Sequence, residues 1–213
     1  MGSRFNWIFV VLAIAVVVGY FSMTHENKRK TEQAKRYEAE SQAHADPDND
    51  APIGGSFVLK NHFGQRVTEK DFQGKFLLLT FGYTYCPDVC PTKLQEMSLT
   101  LDALGQNAQW VQLLFITIDP ERDTANQLKG FVTQFNGNII GLTGSPEQIA
   151  DIAKKFKIYY KRAESTGGGQ YLMDHSSQIF LLDGEGKFLE VFPDGTDPAK
   201  MAARIKEYLP SAP

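Results

Sequence analysis

Two cysteines, Cys86 and Cys90, are the only thiols in the chain, and both lie in the stretch YCPDVCP at residues 85–91. Three residues separate them, and each is followed by a proline. A pair so close closes a very short loop, so as a disulfide it would add little stability through chain entropy. That leaves two chemistries: a thiol pair that cycles through a disulfide, or two sulfur donors for one metal ion. Redox pairs in a βαβ setting usually have the C-x-x-C spacing. The spacing here is one residue longer, which still permits a disulfide but also opens both sulfurs toward an ion. Two sulfurs fall short of the four donors of a closed tetrahedral zinc site. Two thiolates with one imidazole suit copper, because Cu(I) is soft and prefers sulfur.

Four histidines could supply that imidazole. His25 and His44 fall in a polar linker, and His62 is expected in a solvated turn. His175, in YLMDHSSQIFLLD, stands just before an apolar strand. A lone histidine is more often structural than a ligand. Against that, no proline occurs between residues 147 and 192, and thioredoxins carry a loop-facing proline before a late strand. His175 stands roughly where that proline would be.

The elements around the cysteines are legible from pattern. KFLLLTFGY (75–83) is a mostly apolar run suited to a buried central strand. Pro91 disfavours helical geometry at Cys90 and favours a helix start, so a helix is expected from Pro91 with Cys90 near its N-cap. A thiol there has its pKa lowered by the helix N-terminus. Leu94, Met97, Leu101 and Leu104 fall at helical spacing, so Met97 reads as core, and Gly105 is placed to end the helix. WVQLLFITID (110–119) is a second buried strand. Asp123 or Thr124 caps a helix expected to run to about Asn136. IIGLTG is a third strand, and SPEQ (145–148) is a capping box opening a helix to about Phe156. IYYKRA and YLMD flank ESTGGG as a hairpin, SQIFLLD and KFLEVF form another, and Asp197 caps a last helix ending near Leu209. With FVLKNHFGQRV as an opening hairpin, the order is hairpin, β-α-β-α-β-α, then β-β-α. That is an α/β sheet covered by helices, on the thioredoxin-like plan.

The chain has 213 residues and a net charge of −3, with no basic stripe, which argues against nucleic acid as a main partner. Phe5–Met23 carries no charged residue and is long enough to cross a bilayer as a helix. It reads as an uncleaved anchor, giving a transmembrane segment at 1–24, a polar linker at 25–52 and one domain at 53–213. The charges flanking the anchor, counted alone, put the domain in the cytoplasm, although large domains translocate regardless of such charge.

FGYTYCPDVCPTKL, ITIDPERDT and YLMDHSSQIFLLDGEGKF together resemble the SCO/SenC family of copper-binding, thioredoxin-like, membrane-anchored proteins, over about residues 53–209. C-P-D-x-C-P with a downstream D-H-S is a specific combination. The resemblance implies that Cys86, Cys90 and His175 ligate copper, as Cu(I) or Cu(II). It further implies delivery to the cytochrome c oxidase subunit that carries the CuA site, with other copper chaperones or thiol reductants as further partners. A metallochaperone of this kind has no catalytic turnover. The alternative is a thiol–disulfide oxidoreductase that reduces a partner's cysteines; peroxide reduction draws on the general fold alone. The family also implies a domain outside the cytoplasm, against the charge count. Without an Arg-rich transit peptide ahead of the anchor, the expectation is a bacterial inner membrane with the domain in the periplasm, the alternative being the mitochondrial inner membrane facing the intermembrane space. Asp88 and Asp119 also match the family pattern. Asp88 could tune the site or simply be a turn residue, Asp174 could be a strand-end cap, Met173 reads as an apolar strand residue, and DPERD reads as a turn and helix cap.

Overall fold

The computed structural model describes residues 52–163 and 171–209. The expected anchor (Phe5–Met23), the linker with His25 and His44, and the ESTGGG hairpin tip lie outside the described residues. Among the described residues no helix is long and apolar enough to cross a membrane.

Among the described residues, nine strands and four α-helices follow one another. Seven strands form one sheet in the order β2-β1-β5-β4-β3-β8-β9. At its centre β3 (Phe76–Gly82), β4 (Val111–Thr117) and β5 (Ile140–Thr143) run parallel. Their sequences are continuous apolar runs rather than alternating ones, as strands buried on both faces require. Leu78, Leu79, Leu113, Leu114, Phe115 and Ile116 are fully shielded, each contributing roughly 1.5–3 kcal/mol of burial. The opening hairpin, β1 (Val58–Asn61) and β2 (Arg66–Thr68), joins the sheet through an antiparallel β1–β5 contact. On the other side β8 (Ile179–Leu182) runs antiparallel to β3, and β9 (Phe188–Phe192) pairs with β8. The remaining strands, β6 (Tyr160–Arg162) and β7 (Met173–His175), form a separate antiparallel ribbon in which Tyr160 faces His175.

Helix α1 (Val89–Leu104) follows β3, α2 (Ala125–Val132) joins β4 to β5, α3 (Pro146–Lys155) follows β5, and α4 (Pro198–Tyr208) closes the domain. Three N-termini are capped as their sequences dictate. Thr124 accepts from the Gln127 N–H, Ser145 and Gln148 make a reciprocal capping box, and Asp197 accepts from the Ala199 and Lys200 N–H groups. The apolar stripe of α1 is buried, Met97 included, and Gly105 ends it at φ +61°. Helix α1 packs beside α4, where Thr100 Oγ1 reaches Met201 Sδ at 3.6 Å.

Two expectations shift. Helix α2 stops at Val132, short of Asn136: the Thr133 N–H still donates to the Lys129 carbonyl, but the Gln134 and Phe135 N–H groups turn to the Phe131 and Val132 carbonyls, only three residues back, and the last turn tightens out of α geometry. His62 is not solvated: it is 5% exposed. The β1–β2 turn lies against β5, so the His62 N–H donates to the Gly141 carbonyl while its Nδ1 accepts from the Gly141 N–H at 3.0 Å. Burial, with Lys129 nearby, lowers its pKa.

Candidate metal centre

Strand directions bring the site together. The cysteine loop leaves the carboxyl end of β3, where open α/β sheets place their ligands. Strand β8 runs antiparallel to β3, with Ile179 opposite Thr80, so the residues just before β8 arrive at that same end. His175 is one of them. The result is a cluster of Cys86, Cys90 and His175 whose donor atoms all lie within 4.8 Å of one another. Both cysteines are free and buried, and His175 is half-buried.

Helix α1 begins earlier than expected, at Val89, with Asp88 at the N-cap and Pro91 in the first turn. Proline's missing N–H is harmless in that turn, where backbone N–H groups have no helical acceptor. The Cys90 N–H has a different acceptor, the Cys86 sulfur at 3.4 Å. Donation from the Cys90 thiol is the main cause that pulls the Cys86 pKa far down, against burial, while the same donation together with burial pushes Cys90 up. The negative charge is thus favoured on Cys86 and the proton on Cys90.

The Cys90 sulfur also lies 3.5 Å from His175 Nε2. The other ring nitrogen, Nδ1, is 2.8 Å from the Ser176 carbonyl. A carbonyl only accepts, so Nδ1 carries a proton, and Nε2 is the ring nitrogen turned to the sulfurs. The Tyr83 ring meets the imidazole edge-on at 5.8 Å, and its hydroxyl accepts from the Met173 N–H at 3.1 Å. Space for the inner sulfur comes from Gly82, where a Cβ would stand 2.5 Å from Cys90 Sγ and 2.9 Å from the Phe115 ring.

A buried carboxylate braces the loop from beneath. Asp123 accepts from the Thr84 N–H (3.0 Å), the Thr84 hydroxyl (2.7 Å) and the Thr117 hydroxyl (2.6 Å). Burial raises its pKa despite those donors. It ties the cysteine loop to the end of β4, while the capping role considered for it belongs to Thr124.

Of the other candidates, Asp88 is exposed and makes no side-chain cap bond; its backbone N–H faces the Cys86 sulfur. Asp174 is exposed. Met173 packs against the core as a strand residue. Asp119 is buried and pairs with Arg122. The sequence does not mark Gly82, Tyr83, Arg122 or Tyr171 as parts of the site, and it offers Asp123 only as a cap. Only Gly82 left a signal, since a glycine inside an apolar strand marks a close approach.

The donor set fits a soft metal ion: two sulfurs, one already favoured as thiolate, and one imidazole nitrogen turned to them. A thioredoxin-like domain that presents a dithiol and an imidazole at the carboxyl end of its central strand is a distinctive class, and comparison with known proteins agrees. Residues 45–210 match the profile of SCO1/SenC, and the chain belongs to that family. It is 38% identical to Protein sco1 of Schizosaccharomyces pombe, over 93% of this chain and 75% of that one. Other relatives are named as mitochondrial proteins. The structure of Bradyrhizobium japonicum ScoI with copper bound is similar at a TM-score of 0.68 and 42% identity, covering 74% of this chain and 99% of that one. BsSco, described as a member of the Sco family of cytochrome c oxidase assembly proteins with a disulfide switch, is similar at a TM-score of 0.58 and 25% identity, over 74% and 94% of the two chains. The fold is mixed α/β and thioredoxin-like, as expected from the element order.

Proposed function

We propose that this protein is a copper chaperone that takes copper on Cys86 Sγ, Cys90 Sγ and His175 Nε2 and passes it on during assembly of cytochrome c oxidase, at the CuA centre. The observation that carries the reading is the convergence of three donor atoms within 4.8 Å, with His175 Nε2 turned to the sulfurs. The copper-bound relative and the family's link to oxidase assembly support it. Copper is the cargo. Binding would release the proton on Cys90, so uptake weakens as pH falls. Two sulfurs and one nitrogen leave room for an acceptor's ligand, which suits transfer by ligand exchange.

In this reading Phe5–Met23 anchors the chain in a membrane, with the domain in a bacterial periplasm or, as for the mitochondrial relatives, the intermembrane space. A reporter fused after Pro213 that is active only outside the cytoplasm is the expected result; activity only inside would reverse the topology.

The test of ligation uses the full chain in detergent, reduced and loaded anaerobically with Cu(I) and, in parallel, with Cu(II). One copper per chain is expected in the parent. His175→Ala should lose more than about 100-fold in Cu(II) affinity, beyond the loss of an outer-shell partner, and keep thiols able to form a disulfide. Unchanged affinity would remove His175 from the site.

A second reading, thiol–disulfide exchange with a partner, is favoured by one observation: both thiols are free and adjacent, with the charge concentrated on Cys86. A parent that retains no copper yet cycles readily between dithiol and disulfide would establish it instead.

A further inference from the structure

Among the described residues, the ribbon that carries His175 shares no backbone ladder with the main sheet. Besides the Tyr83 contact, a stack of side chains holds it over the cysteine loop. The Arg162 and Arg122 guanidinium groups each lie 3.6 Å from the centre of the Tyr171 ring, and two planar groups at that distance must occupy opposite faces. Arg122 lies in turn 4.8 Å from the ring of Tyr85, in the cysteine loop. The layers therefore run Arg162, Tyr171, Arg122, Tyr85, from the ribbon to the loop.

Asp119, buried at the end of β4, roots this stack in the core. It accepts from Arg122 Nε and, at 2.8 Å, from the Tyr171 hydroxyl. Arg122 Nη1 completes the ring by donating to the Tyr171 carbonyl at 2.9 Å. Arg122 Nη2 is buried with no partner among the described residues. An unpaired buried donor opposes the arrangement, so the stack and the other two nitrogens must offset it. Lysine could match the charge but neither the plane nor the fork.

We propose that Arg122 is a positioning residue: with Asp119 and Tyr171 it forms a latch that keeps the β6–β7 ribbon, and so His175 Nε2, against the two sulfurs. This rests on the copper reading above and deepens it. With the latch closed the site has three donors; with it open, two thiols remain. Two sulfurs satisfy Cu(I), whereas Cu(II) draws more on the imidazole. The latch therefore sets the balance between the oxidation states, from residues that touch no metal.

The test takes the full chain in detergent, as parent, Tyr171→Leu and Arg122→Lys. Tyr171→Leu leaves the Asp119–Arg122 pair in place, so a folded protein is expected even if Arg122 variants fold poorly. In the metal-free protein, peptides covering residues 171–176 should exchange their amide hydrogens about fivefold to tenfold faster in both variants, the scale of a lost cation–π stack, while peptides of β3 and α1 are unchanged. With copper, Cu(II) affinity should fall about 10-fold to 100-fold, and Cu(I) affinity by far less. Unchanged exchange at 171–176, or equal losses for the two ions, would overturn the latch. A parent that takes up neither ion would overturn the copper reading alone, and the exchange rates would still decide whether the latch holds the ribbon.

Discussion

The two halves of the candidate metal centre are built by different means. The cysteines sit at the junction of β3 and α1, among the most deeply packed elements of the domain: Cys90 is 2% exposed and Leu94, one turn on, is fully buried. His175 sits on a two-stranded ribbon whose own residues are exposed or half-buried. An isolated two-stranded ribbon has little stability of its own. The sulfurs are therefore fixed by the hydrophobic core, and the imidazole by a handful of polar and aromatic contacts. On the chaperone reading proposed above, a site that both holds and releases an ion gains from that division, since one donor can leave without unfolding the others.

If the sulfur half is fixed by the core, a lesion beneath it should cost both stability and copper. Asp123 is the place for the largest effect. Asp123→Ala would strand the Thr84 N–H, the half-buried Thr84 hydroxyl and the buried Thr117 hydroxyl, at about 1–3 kcal/mol for a fully buried unsatisfied group. We expect a loss of about 3 kcal/mol or more in denaturant unfolding, with copper binding impaired in the folded fraction. Asp123→Asn keeps an acceptor for the Thr84 N–H and should be much milder. The two carboxamide and carboxylate proteins should also separate with pH. The folded pKa of Asp123 is raised by burial, so the folded state takes up a proton before the unfolded state does. Its contribution to stability is full below the ordinary carboxyl range and is lost as pH rises through the raised value. The parent should therefore gain stability relative to Asp123→Asn as pH falls from 7 toward 4. No such trend, measured by denaturation across that range, would mean the carboxylate is not buried as described.

Gly82→Ala should come next. Gly82 lies in an ordinary strand and its φ is not positive, so alanine faces no backbone strain there. The cost comes from the added Cβ, placed 2.5 Å from Cys90 Sγ. Overpacking of this kind costs about 1–3 kcal/mol, and the sulfur must move to relieve it. Expected are a moderately less stable protein and weaker binding of both Cu(I) and Cu(II), since a sulfur and not the imidazole is displaced. A selective loss of Cu(II) alone would break the distinction between the halves.

The same division explains what was legible in the sequence. Strand β3, strand β4 and helix α1 announce themselves because burial imposes long apolar runs and a periodic stripe. The two sulfurs follow from their spacing, and His175 from its place before β8 together with the family resemblance. The supports of the imidazole half left no local pattern. Arg122 and Tyr171 are 49 positions apart in the chain, and nothing in DPERD or QYLMD says they stack. Asp123 has the local pattern of a cap because it precedes a helix; that it turns inward depends on where Thr84 and Thr117 end up. The start of α1 departs from its local pattern for a related reason. The preference of a residue before proline yields to a tertiary contact, that of the Cys90 N–H with the Cys86 sulfur. His62 looks solvated because the turn's own composition does not reveal that β5 runs beside it.

The smallest expected effect tests the seam between the halves. The Tyr83 hydroxyl, at the end of the sulfur half, accepts from the Met173 N–H of the ribbon at 3.1 Å. Tyr83→Phe removes that acceptor while keeping the ring that packs edge-on against the imidazole. One hydrogen bond is worth about 1 kcal/mol, and the ribbon contributes little to global stability, so the unfolding midpoint should barely move. The effect should appear instead as faster amide exchange at Met173 and a Cu(II) affinity a few-fold below the parent's, with Cu(I) unchanged. If global stability fell as far as in Gly82→Ala, the ribbon would have to be counted as part of the core, and the imidazole would be as firmly fixed as the sulfurs.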